Sequence, residues 1–369
     1  MENLIIESRE RINKVSTLFV RYLYNRINWK NRLIAIKGSR GIGKTTLLLQ
    51  YLKKELPQDH TVLYVPLDHL YFFSNKLIDL ADQFVLNGGK YLFLDEIHKY
   101  FGWSRELKLI YDKHTELQIV FTSSSILEIY KGESDLSRRV VSYNLNELSI
   151  REFIELESGI KLPSYSLDEI LHNHVNISDM IAKEVKPLFE FGKYIKYGAY
   201  PFFMEGIEEY GNKLINTINL ILENDLPAVH KIDFKLISKL KKLLFAISTS
   251  VPFKPNISKL SIKTEVTRPT LILFLNYLEK ALLIYQLHAK NIGITAMNKP
   301  EKIYLHNTNL LYHLAINNTS VGNIRETFFL NQLSGENQIT YSDAADFFVD
   351  NKYTFEIGGK NKDKKQIQI

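Results

Sequence analysis

A glycine-rich segment at residues 38–45 constrains the fold of this chain more than any other feature. Its residues, GSRGIGKT, fit the pattern G-x-x-x-x-G-K-[ST] without a mismatch, and they follow the apolar run LIAI at residues 33–36. Apolar residues that resume at Leu47 predict a helix directly after the segment. A strand, a glycine-rich turn and a helix start together form a loop whose backbone N–H groups and helix dipole bind phosphate. We therefore expect a nucleotide-binding loop inside an α/β domain.

The motif assigns roles to individual side chains of this loop. Lys44 is expected to reach the β- and γ-phosphates and to act in catalysis, and the Thr45 hydroxyl is expected to ligate Mg²⁺. The alternative is a chance glycine-rich turn, which the complete motif between strand and helix disfavours. The predicted nucleotide-binding residues are Gly38, Ser39, Arg40, Gly41, Ile42, Gly43, Lys44, Thr45 and Thr46.

Two adjacent carboxylates end a second apolar run, YLFL at residues 91–94. In phosphate-loop enzymes an acid at the end of a second buried strand holds the Mg²⁺ water shell, and we assign this role to Asp95. Glu96 follows immediately and is predicted to polarise the attacking water as general base. A solvated acidic pair at a strand end is the alternative.

Five candidate strands alternate with helical stretches, which predicts a parallel sheet covered on both faces. One of them lies in sequence between the phosphate-loop strand and the Asp95 strand, and another follows Asp95. That count suits ATPases whose catalytic Glu directly follows the metal-binding Asp. The candidate strands are residues 32–38, 61–68, 91–97, 117–124 and 139–145.

Two polar groups near the fourth and fifth strands leave their roles open. The hydroxyls at residues 122–125, Ser124 among them, either sense the γ-phosphate or form a turn or helix cap. Arg138 and Arg139 either reach a phosphate as an arginine finger or form a solvated charged pair.

Composition bounds the remaining classes. The 369 residues predict at least two domains, and 45% hydrophobic residues are typical of globular proteins. A net charge of +6 leans mildly toward polyanions such as nucleic acid. The absence of cysteine excludes disulfides and thiolate metal sites. The N-terminus lacks a signal peptide pattern and no apolar stretch reaches membrane-spanning length, so we expect a soluble cytoplasmic protein.

Residues 252–287 have the pattern of a helix-turn-helix. Asn256 is placed to cap one helix and Thr267 a second, and two later apolar segments predict a two-stranded wing. A winged helix contacts double-stranded DNA through its second helix or serves only protein contacts, and the sequence leaves both open. The candidate DNA-contacting residues are Lys259, Lys263 and Arg268.

The C-terminal segment contains three acids in a helix and a predicted β-hairpin. Glu326, Asp346 and Glu356 either gather to hold a second Mg²⁺ or are ordinary surface acids. The chain ends at Ile369 soon after the hairpin, so we expect an incomplete domain. The predicted organisation is an ATPase core with an N-terminal helical segment at 1–143, a helical lid at 144–235, a winged helix at 236–306 and the tail at 307–369.

Several of these segments, in this order, resemble a known architecture over nearly the whole chain. The chain is similar to bacterial and archaeal AAA-type P-loop ATPases with a C-terminal winged helix and a nuclease-like domain of unknown function. The similarity lies in GSRGIGKTTLL, YLFLDEIHK, FTSSSILEI, LSRRVVSYNLNELSIREF, YGAYPFF, EKIYLHNTNLL and GNIRETFFLNQL.

The resemblance implies a C-terminal domain similar to the PD-(D/E)xK nuclease fold, in which the three acids match the acidic positions. The family pattern places a lysine two residues after the last acid, where this chain has Gly358. Lys360 lies two residues further along and shares a strand face with that position. It reaches the site only if Gly358 and Gly359 form a bulge, so we expect weak or absent nuclease activity.

The leading expectation is therefore Mg²⁺-dependent ATP hydrolysis coupled to a conformational switch, acting on or near DNA. A second hypothesis is an ATP-gated, metal-dependent nuclease, and a third is a DNA-binding regulator or scaffold that does not hydrolyse ATP. Glu96 favours the first two, and the displaced lysine disfavours the second. ATP rather than GTP is implied by the resemblance, and a homo-oligomer or an unidentified protein is the expected partner.

Overall fold

The chain folds into two compact units, Met1–Glu147 and Leu148–Ile369. This computed structural model describes residues 1–123, 136, 138–227, 233–289, 299–315 and 320–358. The first predicted domain boundary, at 143/144, lies four residues before the division between the units. Within the described residues, no helix combines the length and apolar character that crossing a membrane requires.

The N-terminal unit contains the predicted parallel sheet, and its fold class is α/β. The strands are β1 (Leu33–Lys37), β2 (Val62–Pro66), β3 (Tyr91–Asp95), β4 (Gln118–Ser123) and β5 (Val141–Asn144). They lie in the order β2-β3-β4-β1-β5, and every neighbouring pair is parallel. β4 therefore separates the phosphate-loop strand from the strand that ends in Asp95.

Among the described residues of this unit, four helices pack against the sheet. Residues of β1 and β3 such as Ile34 and Phe93 are fully buried, as expected for central strands of a parallel sheet. Ser8 of the first helix accepts a hydrogen bond from the Tyr64 backbone N–H at 3.0 Å, so this helix covers edge strand β2. The helices are α1 (Glu2–Lys14), α2 (Lys44–Glu55), α3 (Leu77–Leu86) and α4 (Trp103–Lys113).

The segment between α1 and β1 differs from the sequence prediction. Apolar residues at helical spacing over 15–29 predict a helix, but only the short 3-10 turn Tyr22–Asn25 forms. The Gln50 side chain donates to the carbonyls of Ser16 and Phe19, at 2.8 and 2.7 Å. Tertiary hydrogen bonds thus occupy carbonyls that a helix would use internally.

The C-terminal unit begins with helices and continues with a second group of helices and a hairpin. The first four helices are α5 (Ile150–Ser158), α6 (Leu167–Glu184), α7 (Pro187–Tyr197) and α8 (Tyr210–Leu220). The following elements are α9 (Phe234–Ser248), α10 (Ile257–Thr264), α11 (Arg268–Lys280), β6 (Ile284–Leu287) and β7 (Lys302–Leu305).

The predicted caps and strand pairing of this second group are confirmed. Asn256 caps α10 by accepting from the Lys259 N–H at 2.9 Å, and Thr267 caps α11. β6 pairs antiparallel with β7, and Phe253 forms a further antiparallel bridge with Ile303. The buried residues of α11 are those predicted from the apolar spacing, Leu271, Phe274, Leu275 and Leu278.

The tail adds two helices and a small antiparallel sheet. Tyr304 of β7 and Phe347 of β9 share one apolar core, so the predicted boundary at 306/307 passes through a single packed cluster. The tail elements are α12 (Thr308–Leu314), α13 (Val321–Leu333), β8 (Ile339–Thr340), β9 (Phe347–Val349) and β10 (Tyr353–Phe355). β9 and β10 pair antiparallel as the predicted hairpin.

Candidate nucleotide site

The glycine-rich loop joins the end of β1 to the start of α2, as the motif predicts. A Cβ at Gly38 would lie 2.3 Å from the carbonyl oxygen of Leu145, so only glycine fits where the loop passes the end of β5. Gly43 precedes α2 with φ 95°, in the left-handed region. Together they let the backbone turn sharply into the helix N-terminus, which is the geometry of an anion site.

Lys44 lies inside the loop rather than in solvent. Its side chain is buried, and its ammonium donates to the carbonyls of Gly38 and Ser39 at 3.0 and 2.6 Å. The loop therefore curls around its own cation, and phosphate oxygens entering the loop would compete for that ammonium. Among the other predicted loop residues, Ser39 and Ile42 are buried and Thr46 is exposed.

Asp95 is surrounded by hydroxyl donors. Thr45 and Tyr64 donate to its Oδ2 at 2.7 and 2.8 Å, and Thr122 donates to its Oδ1. Within the described residues, no cationic side chain forms an ion pair with this buried carboxylate. A hydroxyl beside a carboxylate that no described ammonium or guanidinium pairs with is a donor set that suits the hard cation Mg²⁺, so Thr45 and Asp95 fit the predicted ion.

Tyr64, on β2, was not predicted as part of this site. Burial first and the neighbouring Asp95 charge second raise the pKa of its phenol. The hydroxyl therefore stays protonated and acts as a hydrogen-bond donor to Asp95. A tyrosine in an apolar strand has no local signal of this role, because only strand pairing brings β2 beside β3.

Thr122 connects the two predicted acids. Its hydroxyl donates to Asp95 and accepts from the Glu96 backbone N–H at 3.0 Å. Glu96 has φ 50° and ψ 48°, a left-handed conformation that is uncommon outside glycine, so this contact holds a strained residue. Ser124, the hydroxyl named above, lies outside the described residues.

The Glu96 side chain faces a cation of the loop. Arg40 Nη1 lies 3.8 Å from Glu96 Oε1, and the two side chains are 21% and 26% exposed. This distance is at the long end of an ion pair, and the pair gives the carboxylate a defined position. A general base needs this combination of defined position and access to water.

His98 lies one short turn beyond Glu96, with its Nδ1 at 3.1 Å from the Ser123 hydroxyl. Burial first, and then the charges of Lys99, Arg40 and Lys44, lower the pKa of His98 to about 3. The imidazole is therefore neutral at physiological pH. Protonating it would add a further positive charge beside the two loop cations.

Arg21 is a second residue that the motif analysis missed. Its guanidinium is buried and donates to the carbonyls of Ile42, Asn146 and Glu147, at 2.5, 2.7 and 3.1 Å. It thereby ties the phosphate loop to the segment after β5. Nothing near residue 21 in the sequence indicates this contact, whose partners are 21 and more than 120 residues away.

The two candidate arginine fingers differ in their surroundings. Arg139 forms a two-bond ion pair with Asp112 of α4, at 2.9 and 3.0 Å. Arg138 is exposed. Neither contacts a residue of the loop in the described structure, and their action as fingers stays a prediction.

Two of the three acids of the tail converge on a lysine. Lys302 Nζ lies 2.7 Å from Glu326 Oε2 and 3.5 Å from Asp346 Oδ1, and Tyr304 donates to Glu326 at 2.8 Å. We call this group the Lys302 cluster. Glu356 is half-buried near the chain end, and Lys360 lies outside the described residues.

The predicted three-acid metal site is not assembled in the part of the chain that the structure describes. No group of three or more His, Cys, Asp or Glu side chains there is arranged to hold a metal ion. Lys302 supplies the positive charge between Glu326 and Asp346 instead. A metal role for Glu326, Asp346 and Glu356 stays a prediction.

The comparison with protein families agrees with this geometry. Residues 30–154, about a third of the chain, match the family model described as AAA domain. This segment of the chain is therefore similar to AAA domains. Residues 188–321 match a model described as a domain of unknown function (DUF8612), which spans the helix group and hairpin of the C-terminal unit.

The chain is also similar to individual proteins. It is 30% identical over 290 residues to the uncharacterised protein MJ1637 of Methanocaldococcus jannaschii; the match covers 75% of this chain and 61% of that protein. The Walker-type ATPase PABY2304 of Pyrococcus abyssi aligns with 12% identity over 84% of this chain and 95% of that chain, with a TM-score of 0.42. AMPPCP-bound DnaA from Aquifex aeolicus aligns with 15% identity over 76% and 87%, with a TM-score of 0.26.

Proposed function

We propose that the N-terminal unit binds ATP with Mg²⁺ and hydrolyses it, and that hydrolysis changes the conformation of the chain. The observation that supports this most directly is the hydrogen bond of 2.7 Å between Thr45 and Asp95. It joins the loop that holds phosphate to the acid that ends β3. The ion supplied with the nucleotide neutralises charge on the β- and γ-phosphates.

Each side chain of the site has its own role in this reaction. Lys44 binds the β- and γ-phosphate oxygens, and the loop N–H groups orient them. Thr45 and Asp95 hold Mg²⁺, while Tyr64 and Thr122 orient the Asp95 carboxylate. Glu96 accepts a proton from the attacking water.

The test is hydrolysis of ATP by the purified chain, with Glu96→Gln as the decisive variant. Glutamine keeps the shape but cannot accept the proton, so turnover should fall on the order of a hundredfold while ATP still binds. Glu116→Gln, an exposed glutamate of the same unit, is the matched control and should leave turnover unchanged. Equal turnover in Glu96→Gln and wild type would show that another group activates the water.

Nucleotide binding is tested separately with Lys44→Ala. This variant removes the cation that charge-assisted hydrogen bonds to phosphate require, so calorimetry should show a large loss of ATP affinity. Lys90→Ala, at an exposed lysine, is the control. Unchanged affinity in Lys44→Ala would contradict the phosphate-loop assignment.

A second candidate function concerns residues 234–305. We infer that α9, α10, α11 and the β6–β7 hairpin form a winged helix that contacts double-stranded DNA. Lys259, Lys263 and Arg268 support this, because all three are exposed and form no ion pair with a described residue. By contrast, Lys242 of α9 is paired with Glu265 at 2.6 Å.

Salt dependence of binding distinguishes DNA contact from protein contact. Charge reversal at Lys259, Lys263 and Arg268 should weaken duplex binding and flatten its dependence on salt, because fewer counterions are released. Reversal of Lys352, an exposed lysine of the tail, is the control. If the duplex does not bind to the wild type, or the slope is unaltered, DNA contact through this face is excluded.

We further propose that the tail has little or no nuclease activity and serves as a docking module. Lys302 already occupies the space between Glu326 and Asp346, so a metal ion would have to displace an ammonium. Linear and supercoiled DNA, and RNA, incubated with Mg²⁺ or Mn²⁺ with and without ATP should remain intact. Cleavage that disappears in Asp346→Ala would instead establish the ATP-gated nuclease.

A further inference from the structure

Arg40 occupies a position of the loop at which the P-loop motif does not specify the residue type. The motif specifies glycines, a lysine and a threonine, and residue 40 is one of its variable positions. In the structure its guanidinium lies 3.8 Å from Glu96 and is 21% exposed, so it points across the site to the predicted base rather than into solvent. Its charge also acts on His98, two residues beyond Glu96 in the chain.

Two other arginines of this unit are bound to other partners. Arg21 is bound to three backbone carbonyls, and Arg139 is bound to Asp112. The undescribed residues of this unit, 124–135 and 137, contain no arginine in the sequence. Within the N-terminal unit, Arg40 is therefore the arginine best placed to reach both Glu96 and phosphate.

The backbone of Arg40 is part of the predicted phosphate-binding loop, because that loop runs from Gly38 to Lys44. A guanidinium bonds phosphate oxygens in a two-pronged geometry, and a terminal phosphate has more negative charge than one carboxylate. At 3.8 Å the pair with Glu96 is longer than a charge-assisted hydrogen bond between a guanidinium and a phosphate oxygen. A γ-phosphate bound in the loop would compete with Glu96 for Arg40.

We propose that Arg40 is a catalytic residue acting within its own chain: it pairs with Glu96 in the absence of nucleotide and moves to the γ-phosphate when ATP binds. This proposal rests on the proposed ATP hydrolysis. The move releases the Glu96 carboxylate to accept the water proton. The water oxygen bonds to the γ-phosphorus, the bond to the β–γ bridging oxygen breaks, and its electron pair leaves on ADP. Arg40 stabilises the charge that shifts onto these oxygens.

The first test compares nucleotides that have and lack the γ-phosphate. Calorimetry with Mg²⁺ measures the affinity of Arg40→Ala and Arg40→Lys for ADP and for the non-hydrolysable β,γ-methylene analogue of ATP. Affinity for the analogue should fall at least tenfold in Arg40→Ala, whereas affinity for ADP should change less than twofold. The affinity of Arg40→Lys for the analogue should lie between those of wild type and Arg40→Ala, because lysine keeps the charge but not the two-pronged geometry of the guanidinium. Arg105→Ala, at an exposed arginine of α4, is the matched control.

The second test is a double-mutant cycle on the same analogue. Glu96→Gln should tighten analogue binding severalfold, because Arg40 no longer has a competing partner. In the Arg40→Ala background this gain should disappear. A gain of equal size in both backgrounds would show that Glu96 only repels phosphate, and the exchange of partners would be overturned.

Turnover completes the test. Arg40→Ala should hydrolyse ATP at least about a thousandfold more slowly than wild type, at the lower end of the range that arginine fingers contribute. Turnover within threefold of wild type, or equal losses of ADP and analogue affinity, would overturn the proposal. If wild type binds the analogue but hydrolyses no ATP, the proposed hydrolysis fails and Arg40 is not catalytic, while the affinity ratio still decides whether it contacts the γ-phosphate. If Arg40→Ala does not fold, Arg40→Lys decides by the same ratio.

Discussion

The sequence pattern allows Mg²⁺ at two carboxylate sites of this chain, one buried and one half-buried, and they are built differently. Asp95 receives three hydroxyl hydrogen bonds and no ion pair from the described residues. Glu326 and Asp346 receive an ammonium from Lys302. Hydroxyls orient a carboxylate but leave its negative charge, whereas a lysine neutralises it.

The difference lies in the partners of the acids, which the acids in a motif do not specify. The second partner decides whether the charge remains available to a cation. Each site also contains a buried tyrosine that donates to its acid, Tyr64 to Asp95 and Tyr304 to Glu326. The two tyrosines therefore form a matched pair within one protein.

The largest expected effect is a loss of ATP turnover, and it should follow a substitution at the Asp95 site but not one at the Lys302 cluster. Asp95→Asn should lower ATP turnover roughly a hundredfold, because the amide has no charge for Mg²⁺. Part of the loss should be recovered at high Mg²⁺. Asp346→Asn is the control and should leave turnover within twofold. Equal losses in both variants, measured by phosphate release, would contradict the assignment of distinct roles.

Lys302→Ala tests the Lys302 cluster by stability. Removing the ammonium leaves two poorly solvated carboxylates together, so the free energy of unfolding should fall by about 2–3 kcal/mol. Lys352→Ala removes an exposed ion pair with Asp168 and should cost less than about 0.5 kcal/mol. Urea unfolding followed by far-UV circular dichroism measures both. Similar small losses would show that Lys302 is only a surface partner.

Acidification should affect the nucleotide site through His98, because its neutral imidazole lies among cations. The folded pKa of about 3 is below the ordinary value of about 6.5, so the unfolded chain binds the proton first. This difference in proton binding has little effect on the free energy of unfolding above pH 6.5, and it lowers that free energy as the pH falls toward 3. Between pH 6.5 and 5 the loss should be about 2 kcal/mol.

The control for this prediction is His98→Gln, which cannot titrate and should lose less stability over the same interval. Both tryptophans, Trp29 and Trp103, lie in the N-terminal unit, so tryptophan fluorescence reports the unfolding of that unit. An equal dependence on pH in wild type and variant would mean that His98 accepts a proton in the folded state near its ordinary pKa.

The smallest effect compares the tyrosines. Tyr64→Phe and Tyr304→Phe each remove one hydrogen bond to a carboxylate, and each should lower the free energy of unfolding by about 1–2 kcal/mol. Only Tyr64→Phe should raise the Mg²⁺ concentration needed for half-maximal ATP turnover. A shift of the same size in Tyr304→Phe would link the two sites and remove the contrast between them.

Much of the fold was predictable because it depends on local patterns. The five strands, the phosphate loop, the caps at Asn256 and Thr267 and the buried face of α11 all follow from spacing within a few residues. The prediction of a helix at residues 15–29 was wrong because the structure of that segment depends on a distant residue. Its apolar spacing suits a helix, but Gln50 of α2 binds two of its carbonyls.

The sequence by itself determined where the glycine-rich loop lies and which acids stand at the end of β3, since a loop motif and the acids at a strand end are encoded within about ten consecutive residues. Only the tertiary structure decided how those acids are used. Tyr64 and Thr122 reach Asp95 across 31 and 27 residues, and Lys302 reaches Glu326 across 24. Spacing in a sequence specifies which face of a strand or helix a side chain occupies, but the partner on that face depends on which elements pack together. Hydroxyls meet the acid in one unit and an ammonium meets the acids in the other because of that packing.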